Sequence, residues 1–309
     1  MADYTKLNHA DIETLLGRYD LGALETAAPL SGGQANSSYQ LTTPKGCFTL
    51  SVCDEKTAEE TRVLTRVLEN LASHGFPATR LIPARDGCAF VTFKEKPVYI
   101  KTYLDGEVCR DLDPAMLAQV GRAMARLHTL PVPDGLPPAF PYGLAYFNEV
   151  LDADISHPFK GWLTGKKAYL ETTLDLSMAR GFIHGDIFWD NLLFDRGNLV
   201  AVLDFEEACQ YFFLYDLGMA AVGCCASAGS FDRDKVSRLV RGYQALRPLS
   251  GKEREQFNPF LVYAATAAAF WRFRQYNIRR PDPARADTYQ ELAALADQAA
   301  SLGPDAWGG

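Results

Sequence analysis

Residues 182–194 read FIHGDIFWDNLLF, and residues 200–205 read VAVLDF. The two segments predict short strands, 191–195 and 198–205, that turn on the Asp-Arg-Gly sequence at 195–197. Apolar residues around this ribbon would bury it, so that its polar residues lie together at one edge. A rigid base with exposed ends is the support that a positioned active site requires.

Three polar side chains stand out in these segments. Asp186 precedes Asn191 by five residues, and Asp204 follows Asn191 by thirteen. Two carboxylates and an amide oxygen are hard ligands that suit Mg²⁺ with bound phosphate. Phosphoryl transfer needs a carboxylate that accepts a hydroxyl proton, ligands for a metal, and accurate alignment. We therefore predict that Asp186 is the base and that Asn191 and Asp204 are the metal ligands.

The chain changes character near residue 105. Before it, short β-branched and aromatic runs alternate with turns, and the runs 39–43 and 47–52 predict a hairpin that turns on the Pro-Lys-Gly sequence at 44–46. A helix follows Thr57, which forms a capping box with Glu60. After it, helical patterns dominate. We predict an α+β fold in two parts: a small antiparallel β-rich N-terminal lobe at 1–104, and a larger helical C-terminal lobe at 105–309.

Composition excludes several classes of partner. The 309 residues include 31 Lys or Arg and 38 Asp or Glu, which gives a formal net charge of −7. Proteins that coat nucleic acids carry an excess of positive charge, so we expect no nucleic-acid partner. The longest nearly uncharged stretch, 260–271, is shorter than the roughly 20 residues that span a bilayer, so we expect no membrane role. An N-terminus without an apolar run and seven scattered cysteines, expected to be buried and reduced, predict a cytoplasmic protein.

The segment 184–191 carries the pattern His184-Gly185-Asp186-x4-Asn191. It resembles the catalytic loop H-x-D-x4-N of the aminoglycoside phosphotransferase and choline kinase superfamily. The segment 203–206, Leu-Asp-Phe-Glu, is similar to the metal-binding segment of the same superfamily. Members of this superfamily have a protein-kinase-like fold. The resemblance implies an ATP- and Mg²⁺-dependent small-molecule kinase in which Asp186 is the catalytic base, while Asn191 and Asp204 bind the metal.

The nucleotide site is expected in the first 106 residues. The segment 30–41 contains a glycine pair and resembles the phosphate-covering loop of the superfamily, and glycine lets backbone N–H groups approach phosphate closely. The segment 101–106 resembles the hinge, where adenine bonds to backbone groups. The expected nucleotide contacts are Ser31, Gly32, Gly33, Asn36, Ser37, Thr102 and Leu104.

One position departs from the superfamily pattern. Ser51 stands where these kinases carry a strand lysine. Lys56 and Lys101 are candidates for the missing charge, although each is also typical of a solvated surface lysine. The departure leaves open a second interpretation, in which the chain is a nucleotide-sensing pseudokinase without catalytic activity.

Two further stretches favour one acceptor. Residues 4–22, and the segment 242–250 (GYQALRPLS) with Glu253, resemble the kinase-fold (type II) homoserine kinases. The resemblance implies phosphorylation of the hydroxyl of L-homoserine to O-phospho-L-homoserine, a step of threonine biosynthesis. A zwitterionic acceptor needs a cation for its carboxylate and an acid for its ammonium group. The candidates are Arg272 and Arg274 for the carboxylate, and Glu206 or Glu207 for the ammonium group.

Other acceptors stay open. The sequence Asp-Phe-Glu-Glu at 204–207 is closer to choline and ethanolamine kinases, and the alanine-rich run 264–269 stands where homoserine kinases are expected to carry an arginine. A choline/ethanolamine- or aminoglycoside-type phosphotransferase is therefore the alternative. The expected partner in each case is a small-molecule alcohol or amino acid.

Three features near the catalytic loop are expected to have structural roles. His184 is expected to brace the loop, and Asp216 is expected to do so by capping a helix. The Pro- and Gly-rich stretch 131–141 is expected to be an exposed connection.

Overall fold

The computed structural model describes residues 5–30 and 36–307, which form two compact units. Unit 1 comprises the residues up to Gly106 together with Pro133–Gly135 and Val200–Leu203, and unit 2 comprises Glu107–Val132, Leu136–Leu199 and the residues from Asp204 onward. Antiparallel strands and helices occur together, which confirms the α+β fold class. The lobe boundaries 1–104 and 105–309 stay a prediction, because two later segments also belong to unit 1.

Unit 1 is built on an antiparallel sheet. Its strands are β1 (Thr26–Pro29), β2 (Asn36–Thr43), β3 (Gly46–Cys53), β4 (Leu81–Ile82), β5 (Val91–Phe93) and β6 (Lys96–Thr102). They lie in the order β1-β2-β3-β6-β4, and β5 also pairs with β6. The predicted hairpin of β2 and β3 is confirmed, since the two strands pair from Asn36 opposite Cys53 to Thr43 opposite Gly46.

Two helices accompany this sheet, α1 (His9–Leu16) and α2 (Ala58–Ser73). The capping box predicted at Thr57 and Glu60 is present at the start of α2. Every second residue of β2 is buried, as expected for a strand with one face against a core. That core joins α1 to the sheet and includes Ile12, Leu16, Leu41, Leu50 and Ile100.

Unit 2 is mostly helical. Its helices are α3 (Pro114–Leu127), α4 (Asn148–Leu151), α5 (Pro158–Thr173), α6 (Phe213–Cys224), α7 (Arg233–Gln244), α8 (Gly251–Phe273) and α9 (Tyr289–Ser301). The remaining strands of the chain are β7 (Glu107–Val108), β8 (Arg180–Ile183), β9 (Leu192–Asp195), β10 (Asn198–Val202), β11 (Cys209–Phe212), β12 (Ala226–Ser227) and β13 (Ser230–Phe231). All belong to unit 2 except β10, whose residues from Val200 onward belong to unit 1. The predicted ribbon is confirmed as β9 and β10 of a sheet with the order β10-β9-β7. Shorter turns are the 3₁₀ segments Leu144–Tyr146, Trp189–Asn191, Phe205–Glu207 and Pro304–Trp307, and the π-helical segment Arg274–Arg279.

Helices α3 and α7 cross at a pair of glycines. A Cβ atom on Gly121 would lie 2.2 Å from the carbonyl oxygen of Leu239, and one on Gly242 would lie 2.4 Å from that of Ala118. Any side chain at either position would push the helices apart, because core packing leaves no space for it. Gly242 is therefore explained by packing.

The rest of the segment that follows Gly242 also has a structural explanation. Ser250 and Glu253 form a capping box at the start of α8. Arg247 donates a hydrogen bond to Glu253 at 2.7 Å, and its guanidinium lies 4.9 Å from the ring of Phe213. The pattern that resembles homoserine kinases thus packs and caps helices in unit 2.

The cysteines differ in their surroundings. All seven are free thiols, and Cys53, Cys209, Cys224 and Cys225 are buried. The expectation of burial is wrong for Cys47 and Cys88, which are exposed, and Cys109 is half-buried. In the described part of the chain, no helix is long and apolar enough to cross a membrane.

Candidate active site

The catalytic loop begins where β8 ends. Strands β8 and β11 are antiparallel, with Ile183 opposite Cys209. Two residues further, Gly185 has a φ of +86°, and a Cβ atom there would lie 2.9 Å both from the carbonyl oxygen of Glu207 and from the ring of Phe140. Only glycine meets both the left-handed conformation and the close approach without strain. The chain therefore leaves β8 along a defined path, which places Asp186.

A buried carboxylate of α6 holds this loop. One oxygen of Asp216 accepts the backbone N–H of Gly185 at 2.7 Å, and the other accepts that of His184 at 3.1 Å and lies 2.9 Å from Nε2 of His128. Burial acts to raise the pKa of Asp216, but these donors outweigh it and lower the pKa below its usual value. Asp216 thus braces the loop as predicted, but the expected capping is wrong, because Phe212 occupies the N-cap of α6 without a side-chain bond.

Asp186 is oriented by its neighbours in the loop. Nδ1 of the buried His184 ring accepts the backbone N–H of Asp186 at 3.1 Å, as the bracing role predicts. The amide nitrogen of Asn191 donates to the backbone oxygen of Asp186 at 2.9 Å and to its carboxylate at 3.3 Å. Because the nitrogen donates to Asp186, the amide oxygen of Asn191 is the atom of this side chain that could accept a donor or bind a metal.

Asp204 has an unusual backbone. Its φ and ψ are 57° and 70°, in the left-handed region, where an L-residue pays about 1–2 kcal/mol and Asp is among the better-tolerated types. The exposed side chain accepts the backbone N–H of Glu206 at 3.4 Å, which begins the short turn Phe205–Glu207. Such strain is concentrated at functional sites.

The loop has a strongly negative field. Burial, together with the charges of Asp204, Glu207 and Asp190, raises the pKa of Asp186 to about 8, although the hydrogen bond from Asn191 opposes the shift. Carboxylates that share one site favour a bound cation, because a cation removes their mutual repulsion.

The donor set fits a hard divalent cation that is shared with a ligand. Within residues 5–30 and 36–307, no group of three or more His, Cys, Asp or Glu side chains is arranged to hold a metal ion. The loop offers instead the carboxylates of Asp186 and Asp204 and the amide oxygen of Asn191. Mg²⁺ is usually bound in this way, by one or two carboxylates with phosphate oxygens and water.

Of the nucleotide contacts predicted before β3, three lie outside the described residues and two lie in β2. Ser31, Gly32 and Gly33 lie outside the described residues. Asn36 begins β2, and the hydroxyl of Ser37 donates to Asp54 at 2.5 Å. Asp54 also forms an ion pair with Lys96 at 2.6 Å.

The two contacts predicted at the hinge lie at the end of β6 and just after it. Thr102 ends β6, and its hydroxyl accepts the backbone N–H of Arg80 at 2.9 Å. Leu104 follows the strand. Ser51, at the position of the missing lysine, is buried with its hydroxyl 3.3 Å from that of Ser38.

The candidate substrate residues lie in different surroundings. Glu206 belongs to the turn after Asp204, close to the loop in sequence. Arg272 donates to the backbone oxygen of Thr288 at 3.1 Å. Arg274 is 3% exposed and forms an ion pair with Glu149 at 2.9 Å.

The sequence reading missed an aromatic element beside the loop. Phe140, at the end of the stretch expected to be exposed, is 3% exposed and packs on Gly185. Tyr142 donates its hydroxyl to a carboxylate oxygen of Glu207 at 3.1 Å. The expectation of an exposed connection is therefore wrong for Phe140, and also for Pro133 and Leu136, which are buried. The closely spaced aromatic residues of the sequence FPY at 140–142 were the available signal.

Comparison with known proteins identifies the family of the chain. The phosphotransferase enzyme family matches residues 26–249 of the chain, a range that includes Asp186, Asn191 and Asp204. This chain belongs to that family. The predicted enzyme class, a phosphotransferase, is thereby confirmed.

Curated relatives of this phosphotransferase cover most of its length. The homoserine kinase of Caulobacter vibrioides is 30% identical over 281 aligned positions, which cover 87% of this chain and 88% of the relative. The homoserine kinase of Rhodospirillum rubrum is 29% identical, with coverage of 100% and 99%.

Solved structures of more distant proteins show the same fold. An amicoumacin kinase in complex with AMP-PNP and Ca²⁺ has a TM-score of 0.74 at 12% identity, with 94% of each chain covered. A microcompartment-associated aminopropanol kinase has a TM-score of 0.72 at 18% identity, with 95% of this chain and 97% of that chain covered. These similarities confirm the protein-kinase-like fold of this phosphotransferase.

Proposed function

We propose that this phosphotransferase transfers the γ-phosphoryl group of ATP to the side-chain hydroxyl of L-homoserine with the aid of Mg²⁺. The observation that carries the proposal is the braced loop in which Asn191 contacts Asp186 and Asp216 holds the preceding backbone. The acceptor is supported by the two curated homoserine kinases, which are 29–30% identical over most of the chain.

In this reaction the hydroxyl oxygen of the acceptor forms a bond to the γ-phosphorus. The bond between that phosphorus and the β,γ-bridging oxygen breaks, and ADP leaves with the electron pair. Asp186 accepts the proton of the hydroxyl group. Such proton transfer contributes about 10²–10⁴-fold when the base is positioned. The bond that Asn191 donates to the carboxylate and the bond that the Asp186 backbone donates to His184 provide that positioning.

Asn191 and Asp204 are the metal ligands in the proposal. When bound, Mg²⁺ neutralises phosphate charge and favours the ionised form of Asp186, whose pKa is about 8 without a cation. The left-handed backbone of Asp204 directs its carboxylate, and the contact between Asn191 and Asp186 fixes the orientation of the amide.

The nucleotide contacts are proposed to come mainly from the backbone. The hydroxyl of Ser37 is already bonded to Asp54, so its backbone is the part that we assign to phosphate. We retain the other expected contacts at Ser31, Gly32, Gly33, Asn36, Thr102 and Leu104.

Arg274 is the stronger of the two candidates for the acceptor carboxylate. Its Nε atom is buried and has no hydrogen-bond partner among the described residues, although its Nη1 atom is bonded to Glu149. Buried donors are normally satisfied, so this atom is suited to receive an oxygen of a ligand. Arg272 and Glu206 are retained as secondary contacts in the proposal.

The test is a screen of ATP consumption with Mg²⁺ and L-homoserine, choline, ethanolamine or an aminoglycoside as acceptor. We expect the highest kcat/KM with L-homoserine and formation of O-phospho-L-homoserine. Preferential turnover of choline or ethanolamine would replace the acceptor in the proposal. Clear ATP binding without consumption with any acceptor would support the nucleotide-sensing pseudokinase instead.

A further inference from the structure

Glu207 lies beside the catalytic loop because of strand register. Cys209 is opposite Ile183 in the antiparallel pair of β11 and β8, so continuing the register by two residues places Glu207 opposite Gly185. The close approach of the Glu207 carbonyl oxygen to Gly185 confirms this placement. The charge of Glu207 is also near enough to raise the pKa of Asp186.

Tyr142 fixes the carboxylate of Glu207. Its hydroxyl donates to Oε1 of Glu207 at 3.1 Å. Burial, together with the charge of Glu207, raises the pKa of Tyr142, so the phenol stays protonated and remains a donor at neutral pH. A carboxylate has about four acceptor positions, so this bond is compatible with further donors on Glu207.

The ring of Tyr142 is held on several sides. Phe140 makes an edge contact with it at 5.5 Å between ring centroids, and Trp271 makes another at 6.2 Å. The guanidinium of Arg274 lies 4.9 Å from the centroid of the Tyr142 ring and is anchored by its ion pair with Glu149. The hydroxyl of Tyr142 therefore points to a fixed place beside the loop.

The arrangement matches the two charges of a short amino acid. Tyr142 bridges an anionic group, Glu207, and a cationic group, Arg274, in one connected cluster. Only a few bonds separate the hydroxyl oxygen of L-homoserine from its ammonium nitrogen, so an acceptor at Asp186 brings its ammonium group close to Glu207. Aromatic rings next to a carboxylate also favour an ammonium group through cation–π attraction.

We propose that Glu207, oriented by Tyr142, binds the ammonium group of the acceptor and thereby determines its specificity. The inference rests on the proposed function, because it assumes that the acceptor hydroxyl is at Asp186. It assigns Glu207 to direct contact with the acceptor and makes Tyr142 a positioning residue that acts through Glu207.

The test compares three ligands that differ only in their charged groups. L-Homoserine carries both charges, 3-aminopropan-1-ol lacks the carboxylate, and 4-hydroxybutyrate lacks the ammonium group. Dissociation constants are measured by calorimetry in the presence of Mg²⁺ and ADP, so the readout does not depend on turnover. The proteins are the wild type, Glu207→Gln, Tyr142→Phe, and the control Glu255→Gln, whose carboxylate is exposed on α8.

We expect Glu207→Gln to raise the dissociation constants of L-homoserine and 3-aminopropan-1-ol by about 10- to 100-fold, as for loss of a charge-assisted hydrogen bond. The dissociation constant of 4-hydroxybutyrate should stay within about twofold of the wild-type value. Tyr142→Phe should raise the same two dissociation constants by a smaller factor, because the carboxylate of Glu207 remains but loses the hydrogen bond that orients it. Glu255→Gln should bind all three as the wild type does. Three results would overturn the inference. Glu207→Gln could weaken the binding of all three ligands equally, it could leave the binding of the two ammonium ligands unchanged, or the wild type could fail to bind the ammonium ligands at all.

A kinetic readout separates this inference from the proposed function. If the wild type binds L-homoserine but does not phosphorylate it, the proposed function fails and the calorimetric comparison still decides the role of Glu207. If it phosphorylates L-homoserine, Tyr142→Phe should raise KM more than it lowers kcat. A change in kcat alone would contradict the positioning role of Tyr142.

Discussion

Replacement of Asp216 by Asn tests how the catalytic loop is held. In the wild type, the backbone N–H of His184 donates to the Asp216 carboxylate at 3.1 Å. The amide of the variant keeps an oxygen for the N–H of Gly185 but presents an NH₂ group, which cannot accept, to the N–H of His184. An unsatisfied buried donor costs about 1–3 kcal/mol, and loss of the negative charge adds about 1 kcal/mol. The free energy of unfolding should therefore fall by about 2–4 kcal/mol. Since Asp186 directly follows these residues, kcat should fall at least about tenfold.

The assay is urea unfolding from pH 3 to 8, with kcat measured in parallel. The lowered pKa of Asp216 means that its contribution to stability is present above its unfolded-state pKa of about 3.9 and is lost as the pH falls through its lower folded-state pKa. The difference between wild type and Asp216→Asn should be constant from pH 5 to 8 and should shrink below about pH 4. Asp154→Asn, on an exposed side chain, is the matched control. A stability difference below about 0.5 kcal/mol at pH 7, with kcat intact, would refute the bracing role.

Three further substitutions test other parts of the structure. Gly185→Ala should lower the free energy of unfolding by about 2 kcal/mol or more and should reduce kcat, because it combines a left-handed backbone with a Cβ clash. Urea unfolding measures the change in stability, and an unchanged stability would contradict the close approach of Glu207 and Phe140 to Gly185. Asp204→Ala should raise the Mg²⁺ concentration needed for half-maximal turnover, whereas an unaltered Mg²⁺ titration would remove Asp204 from the metal site. Ser250→Ala should cost about 1 kcal/mol through loss of the N-cap of α8. Its KM for L-homoserine should stay unchanged, and a raised KM without destabilisation would show that the segment contacts substrate.

Local patterns in the sequence predict much of the fold. The hairpin of β2 and β3, the capping box at Thr57 and the ribbon of β9 and β10 all depend on residues within a few positions of one another. The loop from His184 to Asn191 is also local, and the contact of Asn191 with Asp186 follows from their separation by one short turn.

Features that depend on distant contacts were predicted less well. Asp216 resembles a helix cap in sequence, but its partners are backbone groups more than 30 residues away, and only the packing of α6 against the loop brings them together. Phe140 lies in a Pro- and Gly-rich stretch that favours exposure, yet it is buried because Gly185 provides a surface without a side chain. Tyr142 gave no chemical signal by itself, and its bond to Glu207 depends on the pairing of β8 with β11.

The role of Asp186 as the catalytic base is tested most directly by its replacement with Asn. Wild type and Asp186→Asn are incubated with ATP, Mg²⁺ and L-homoserine, and the phosphate ester on the acceptor is followed by ³¹P NMR while nucleotide binding is measured by calorimetry. We expect ester formation by the wild type and a rate at least about 100-fold lower for the variant, with Mg-ATP affinity within a few-fold of wild type. Ester formation by Asp186→Asn at the wild-type rate would contradict the assignment of the base.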